Sequence, residues 1–164
     1  MVLRMKVIFL DIDGVLNSNL RRAEKNGGYL EEKKIRLIST VVQRTGAVVV
    51  LHSGWRLWLT DSLRPINREA ADLLSLLAKH GIRLYGRTPD FSDEEIRKTK
   101  RFSLIKAAEI LSWLQDHSNV ENYVVLDDLD LHSKLLAGHQ IRPDSSKGLS
   151  EEDAARAVKM LNMV

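Results

Sequence analysis

The chain has 164 residues, of which 44% are hydrophobic and 29% charged, and its formal net charge at pH 7 is +3. This length and apolar content suit a single domain over residues 1–164 with a sizeable core. The modest positive charge does not indicate a dedicated nucleic-acid binder. The sequence contains no cysteine, which excludes disulfides, thiolate metal sites and a cysteine nucleophile.

The sequence shows no targeting or membrane segment. Its first apolar run begins close to Met1 and leaves no room for a signal peptide. No apolar run approaches the roughly 18 residues that a membrane span needs. We therefore expect a cytoplasmic protein that does not bind a membrane.

An apolar run that ends in two carboxylates is the most informative stretch of the sequence. Val7 to Leu10 are consecutive apolar residues, which predicts a strand buried on both faces. Asp11 and Asp13 follow directly, and Gly14 permits a sharp turn after them. Because ligands of open α/β sheets bind beyond the carboxyl ends of the strands, the two acids are predicted to lie in a functional site.

The pair of carboxylates indicates a cation site. Two such groups held close together repel each other and generally share a proton or a cation. Ligation by oxygen alone favours Mg²⁺, which binds one or two carboxylates together with substrate phosphate. A calcium-binding EF-hand loop is the nearest alternative. It fails because Val15 and Leu16 stand where that loop needs Asp or Asn followed by Gly, and no Glu closes it.

Residues 15–30 are polar and turn-rich, which predicts a small flap with candidate phosphate contacts at Arg21, Arg22 and Lys25. The apolar residues that follow recur at helical spacing. They predict a helix over residues 31–45 that is closed by Gly46 and packs on the sheet.

A second buried strand, from Ala47 to Leu51, also ends in polar residues, which are His52-Ser53-Gly54-Trp55-Arg56. The Ser53 hydroxyl, together with the amides that open the next helix, suits phosphate oxygens, although a helix cap is the alternative. His52 is interpreted either as a supporting hydrogen-bond donor or as a structural residue. Trp55 is expected to pack rather than to stack on a base.

The alternation of helices and strands continues after Arg56. The pattern predicts a helix between Pro65 and Gly81, a strand at 82–85 and a helix from 102 to 116. A long connection over residues 86–101 is of the length that is usually functional. Positive charge is concentrated there, and Lys106 lies in the first turns of the next helix, close to the site end of the sheet; the basic residues of the connection are Arg87, Lys98, Lys100 and Arg101.

A fourth strand, residues 123–126, ends in a second acid pair, Asp127 and Asp128. Two buried strands that each end in acids strengthen the prediction of a metal site. Ile141 predicts a short fifth strand, and a capping-box pattern at Ser150 starts a closing helix to about residue 161. Strands and helices therefore alternate throughout, which predicts an α/β fold with a doubly wound parallel sheet.

Taken in order, these motifs resemble those of the haloacid dehalogenase-like (HAD) superfamily of phosphohydrolases. The first corresponds to Val7 through Gly14, the second to the strand that ends at Ser53, the third to Lys106, and the fourth to Asp127-Asp128. Arg101 and Arg87 are alternatives for the third. The sequence is similar, more narrowly, to a small branch related to HAD domains of RNA-repair proteins. That branch often has two serines before Gly-Trp-Arg, whereas here His52 replaces the first.

The resemblance implies a Rossmann-like core and a phosphatase mechanism. Asp11 would be the nucleophile that forms an aspartyl-phosphate, and Asp13 the general acid and base. Mg²⁺ would be held by Asp11, by the backbone carbonyl of Asp13, and by Asp127 or Asp128. Contacts to the phosphorylated substrate are implied for a larger set, which comprises Ser53, Gly54, Arg56, Arg87 and Lys106.

The leading hypothesis is a Mg²⁺-dependent phosphomonoesterase. The alternatives are a non-catalytic phosphate- or RNA-binding module, against which the intact Asp11 and Asp13 count, and a phosphotransferase of the same architecture. Only 39 residues, 14 to 52, separate Asp13 from Ser53, which is too few for a cap domain. An open site predicts a terminal phosphate on RNA or DNA as the substrate. Because clustered carboxylates repel, removal of Asp127 is expected to stabilise the metal-free protein.

Overall fold

The structure is a computed structural model that describes residues 3–18, 30–93 and 101–163, with Arg101 described by its backbone alone. The predicted flap residues Arg21, Arg22 and Lys25, the loop residues Lys98 and Lys100, and the side chain of Arg101 lie outside the described residues. No described helix has the length and apolarity that crossing a membrane requires.

Five parallel strands and four α-helices make up the described fold, which confirms the predicted α/β architecture. The strands are β1 (Met5–Leu10), β2 (Val48–Leu51), β3 (Leu84–Arg87), β4 (Val120–Leu126) and β5 (Gln140–Ile141). The α-helices are α1 (Glu32–Thr45), α2 (Arg68–Lys79), α3 (Arg101–Gln115) and α4 (Glu151–Leu161). The strand order is β3-β2-β1-β4-β5, so β1 occupies the centre of the sheet.

The alternation of side chains along β1 divides the core into two layers. Ile8 and Leu10 face one side of the sheet, where they pack with residues of α1, α2 and α4. Val7 and Phe9 face the other side, where they pack with α3. All four residues are fully buried. Covering of both faces by helices is what allows a central strand to be a continuous apolar run.

Local signals account for most element boundaries. Helix α1 ends at Gly46, whose φ of 72° lets its amide bond the Val42 carbonyl at 2.8 Å. The capping box at Ser150 and Asp153 begins α4, as predicted. Helix α2 differs from expectation, because Asn67 rather than Pro65 opens it, with its side chain accepting from the Ala70 amide.

Strand β3 begins two residues later than the apolar pattern predicts, at Leu84 instead of Ile82. The Ile82 amide bonds the Leu77 carbonyl at 2.9 Å and so completes the end of α2. Ile82 therefore belongs to the end of the helix. Strand β3 extends instead to Arg87, at the carboxyl edge of the sheet where the site lies.

Candidate active site

Four polar side chains form a row along the carboxyl edge of the sheet. They are the first residues after four neighbouring strands and are, in sheet order, Thr88, His52, Asp11 and Asp127. The ladder continues through them, because each of their amides bonds a carbonyl of the neighbouring strand at 2.7 to 3.3 Å. All four are at most 7% exposed.

The row faces α3. Side chains two positions apart on a strand point to the same side of the sheet. Two positions before the row stand Phe9, Val50 and Val125, which all pack in the layer against α3. On β3 the equivalent residue is Gly86, where an added Cβ would lie 3.7 Å from the Trp113 indole nitrogen of α3. The four row residues therefore share the α3 side of the sheet edge.

Three carboxylates converge at the centre of this edge. Asp11, Asp127 and Asp128 each offer an oxygen, and these oxygens lie within 4.8 Å of one another. Asp11 and Asp127 are buried and Asp128 is half-buried. Both acid pairs that the sequence places after β1 and β4 thus contribute to one cluster, and its all-oxygen donor set is of the kind that Mg²⁺ prefers.

The cluster carries more negative charge than its surroundings balance. Burial raises the pKa of Asp11 well above its usual range, and the charges of Asp127 and Asp128 raise it further against the opposing effect of Lys106. Burial and the charge of Asp127 also raise the pKa of Asp128. Each shift means that the charged form is disfavoured in the metal-free protein, which a bound cation would reverse.

Lys106 is the cation that the structure places beside these acids. Its Nζ donates a hydrogen bond to Asp127 Oδ2 and lies 3.9 Å from Asp11 Oδ2. Burial alone would lower the pKa of Lys106, but the carboxylates of Asp11 and Asp127 outweigh it and raise the pKa above its usual value. Lys106 therefore stays charged where it faces the predicted nucleophile.

Asp13 lies outside the three-carboxylate cluster, and its side chain is held by other partners. Trp55 Nε1 donates to Asp13 Oδ2 at 3.2 Å, and Asn17 Nδ2 donates to Asp13 Oδ1 at 3.0 Å. Asn17 in turn accepts from the Gly14 amide at 2.9 Å. These bonds fix the orientation of the Asp13 carboxylate, and the predicted contact of the Asp13 backbone carbonyl to the metal stays a prediction.

Gly14 gives the turn after Asp11 its close approach to the second acid pair. Its φ is +84°, and an added Cβ would lie 2.6 Å from Asp128 Cγ. Any larger residue at this position would collide with the Asp128 carboxyl group. The glycine therefore allows the loops after β1 and β4 to come together at the acid cluster.

Ser53 stands one residue beyond the row and opens a short 3₁₀ helix, Gly54–Trp58. Its Oγ accepts a hydrogen bond from the Trp55 amide at 3.2 Å, and the residue is 2% exposed. This bond uses a lone pair of the hydroxyl and not its proton. Both sequence readings of Ser53, a helix cap and a phosphate donor, are thus compatible. Gly54 is exposed, and its predicted contact to substrate stays a prediction.

The guanidinium of Arg56 is committed to partners inside the protein. It donates to the Ser53 carbonyl at 2.7 Å, to the Thr88 carbonyl at 3.1 Å and to Glu109 Oε2 at 2.8 Å. Arg56 and Glu109 are both buried. Because Glu109 lies three residues after Lys106 on α3, this ion pair ties the Ser53 loop to the helix that carries Lys106. These bonds give Arg56 a structural role, and its predicted contact to substrate is not tested by them.

Arg87 is the last residue of β3, and its guanidinium also bonds groups of the protein. Its Nη1 donates to the carbonyls of Arg56 and Leu59 at 2.8 and 2.6 Å, and its Nη2 pairs with Asp61 at 2.8 Å. Of the three candidates for the third motif, only Lys106 has a described side chain next to the acid cluster. The substrate contact predicted for Arg87 stays a prediction.

Several residues of the site carried little signal in the sequence. The position of His52 beside Asp11 depends on the register of β1 and β2. The contacts of the Asn17 side chain with Asp13 and Gly14 depend on the conformation of the turn. Glu109 is polar at a core-facing position of α3, three residues after Lys106, and that placement is the signal that marks it. Trp55 is predicted from the sequence to pack, and this prediction does not include the hydrogen bond that its indole N–H donates to Asp13.

Comparison with protein families gives one match that covers most of the chain. The model of the HAD domain in Swiss Army Knife RNA repair proteins matches residues 7–154, a range that includes the row and the acid cluster. No curated protein and no solved structure matched the sequence.

Proposed function

Since this chain belongs to the family of HAD domains found in Swiss Army Knife RNA repair proteins, we propose that it is a Mg²⁺-dependent phosphomonoester hydrolase that works through an aspartyl-phosphate. Membership of the family supports a phosphohydrolase-type function generally. The observation that carries the finer proposal is the convergence of Asp11, Asp127 and Asp128 within 4.8 Å, with Lys106 against two of them.

The residues of the cluster fit a divalent cation. Three carboxylates face one ammonium group, and burial raises the pKa values of Asp11 and Asp128. Gly14 has no side chain, and the Asp128 carboxyl occupies the space that a Cβ would fill. Asp11, Asp127 and Asp128 would hold Mg²⁺, which supplies positive charge that binds and polarises phosphoryl oxygens.

Asp11 is the proposed nucleophile. One of its oxygens forms a bond to phosphorus while the bond from phosphorus to the leaving oxygen breaks, which gives an aspartyl-phosphate and a free alcohol. Asp13 donates the proton that the leaving oxygen takes up. Asp13 is suited to this role because Trp55 and Asn17 hold its carboxyl in a fixed orientation.

In the second half of the reaction, water attacks the same phosphorus atom and the bond to Asp11 breaks. Asp13 accepts the proton of the attacking water, which returns both acids to their starting forms. Lys106 stays charged beside Asp11 and is placed to stabilise the negative charge that builds up on the phosphoryl oxygens. The Ser53 hydroxyl is the proposed second contact to those oxygens.

The spacing of the elements supports an open site. Helix α1 and strand β2, which belong to the core, lie between Asp13 and Ser53, and the 3₁₀ helix, α2 and β3 lie between Ser53 and α3. Among the described residues between Asp13 and α3, no element forms a separate cap domain. We therefore propose that the site takes the phosphorylated end of a large molecule such as RNA or DNA.

A panel of phosphomonoesters tests the proposal. Hydrolysis by the wild-type protein should require Mg²⁺, and Asp11→Asn should abolish it. Tight binding of phosphorylated ligands without turnover would instead indicate a binding module. Transfer of the phosphoryl group to an added alcohol, in preference to water, would indicate a phosphotransferase.

A further inference from the structure

His52 has the strongest unexplained feature of the described site. Its side chain is fully buried, and its Nε2 has no hydrogen-bond partner among the described residues. Leaving a buried polar atom without a partner costs about 1–3 kcal/mol, so such atoms commonly mark a place where a ligand or water binds.

The strand register places His52 directly beside Asp11. The last paired residues of β1 and β2 are Leu10 and Leu51, and the His52 amide bonds the Leu10 carbonyl at 2.7 Å. His52 and Asp11 are therefore level with each other on adjacent strands, and both face α3. On the other side of His52, the row continues with Thr88.

The hydrogen bond to Thr88 determines which ring nitrogen carries the proton. His52 Nδ1 lies 2.9 Å from Thr88 Oγ1, and Thr88 is itself buried. If Nδ1 donated this bond, the buried hydroxyl proton and Nε2 would both lack a partner among the described residues. If Thr88 donates, its proton is satisfied and the ring proton lies on Nε2. The second arrangement leaves one polar group unpaired instead of two, so it is favoured.

The ring is neutral in this setting. Burial lowers the pKa of His52 well below its usual range, and the nearby charges of Lys106 and Arg56 lower it further. His52 therefore offers one N–H donor without adding a positive charge. A donor of this kind suits the oxygen of a phosphoryl group, which accepts hydrogen bonds and would be drawn to the same edge by Lys106.

From the orphaned Nε2 and the position level with Asp11, we propose that His52 donates a hydrogen bond from Nε2 to a phosphoryl oxygen of the substrate, with Thr88 fixing the ring. This inference rests on the proposed phosphatase function and adds a phosphoryl contact to it. His52 and Ser53 would then each offer a side-chain donor directly after strand β2.

Two amide variants distinguish the roles of the two ring nitrogens. The amide of His52→Asn reaches about as far as Nδ1 and loses the Nε2 donor, whereas the amide of His52→Gln reaches about as far as Nε2 and retains it. Binding of inorganic phosphate in the presence of Mg²⁺ is measured by calorimetry, and folding by thermal unfolding. We expect phosphate to bind about tenfold more weakly to His52→Asn, as for the loss of one buried hydrogen bond. His52→Gln should stay within roughly threefold of the wild type.

A measurement on the wild-type protein covers the case in which a variant fails to fold. In ¹⁵N NMR of protein with labelled histidine, His52 should have its proton on Nε2, and the Nε2 signal should move when inorganic phosphate and Mg²⁺ are added. A proton on Nδ1, or an Nε2 signal that does not respond to bound phosphate, would overturn the proposal. So would equal phosphate affinity of folded His52→Asn and wild type.

These outcomes are distinct from failure of the proposed function. A wild-type enzyme that hydrolyses phosphomonoesters through Asp11, with His52→Asn binding phosphate normally, would overturn only the role of His52. A wild-type protein that binds phosphate through His52 but shows no turnover would overturn the hydrolase and leave the His52 contact in place.

Discussion

Lys106 Nζ donates a hydrogen bond to the carboxylate of Asp127, and both groups are buried at the carboxyl edge of the sheet. This bond joins α3 to the end of β4 and holds an ammonium group beside Asp11. It also gives the two acids of the second pair different roles. Asp127 compensates a buried cation, whereas Asp128 has no described salt bridge.

We predict opposite effects on stability when the two neighbouring acids are replaced in metal-free protein. Asp127→Asn should lower the free energy of unfolding by on the order of 3 kcal/mol, because it leaves Lys106 with a weaker partner in a buried site. Asp128→Asn should raise the stability, because burial and Asp127 disfavour the charged Asp128. Thermal and denaturant unfolding in the presence of a chelator measures both.

The pH dependence gives a control for this pair. A carboxyl whose pKa is raised in the folded state binds a proton more readily in that state than in the unfolded one. Its destabilising effect therefore grows as pH rises above the ordinary value of 3.8. The advantage of Asp128→Asn over the wild type should shrink as pH falls toward that value. A constant advantage, or a stabilised Asp127→Asn, would refute this assignment.

We predict that Trp55→Phe lowers kcat about tenfold with little change in KM. The substitution keeps an aromatic ring but removes the Nε1 donor that holds Asp13 Oδ2, and a misplaced general acid slows proton transfer. Steady-state kinetics with a small phosphomonoester measures the effect. Trp58→Phe is the matched control, since its ring centroid lies 5.0 Å from that of Trp55 and no described bond joins it to Asp13. Equal loss in both variants would indicate general damage to packing.

We predict that Glu109→Gln destabilises the protein by about 3 kcal/mol, because it removes the nearer and buried carboxylate partner of Arg56 and leaves only Asp90, at 3.7 Å, among the described acids. Arg56→Met should cost a similar amount, and the double variant should be little worse than either single one. Denaturant unfolding of the four proteins gives the coupling energy. If Arg56 contacts substrate instead, Arg56→Met would raise KM far more than Glu109→Gln does.

We predict a higher kcat/KM for an end-phosphorylated oligonucleotide than for a mononucleotide, and a preference that weakens at higher salt. Phosphates next to the scissile one would add salt-sensitive affinity at an open site. The comparison is made with both substrates at two salt concentrations. Equal values, or a small sugar phosphate that is preferred at both concentrations, would contradict the proposed substrate class.

The sequence predicted the fold because its signals are local and repeated. Continuous apolar runs such as Val7 to Leu10 indicate strands covered on both faces, and helical periodicity between them indicates the covering layers. The predicted element boundaries were wrong where a residue type suits two kinds of structure. Ile82 is a residue type that is common in strands, but its amide bonds a carbonyl at the end of α2.

The acid cluster was also predictable, since Asp11, Asp127 and Asp128 follow directly on recognisable strands. The contacts of the other polar residues depend on the register of the strands and on the direction in which each side chain points, and neither can be derived from the amino-acid sequence alone. The bonds from the Arg56 guanidinium to Ser53, Thr88 and Glu109 are an example, and the substrate contact predicted for Arg56 stays a prediction. The hydrogen bond from Lys106 to Asp127 could not be predicted from the sequence either. Because of this bond we expect removal of Asp127 to destabilise the metal-free protein, whereas the sequence alone led to the opposite expectation.

The covalent state of Asp11 during turnover tests the central claim most directly. Wild-type protein is mixed with a phosphomonoester and Mg²⁺, quenched in acid, digested and analysed by mass spectrometry. We expect one phosphoryl group on the peptide that carries Asp11, and we expect Asp11→Asn to lack it and to lose several orders of magnitude in turnover while keeping its fold. Undiminished turnover by Asp11→Asn, or a phosphoryl group mapped to another residue, would contradict the account.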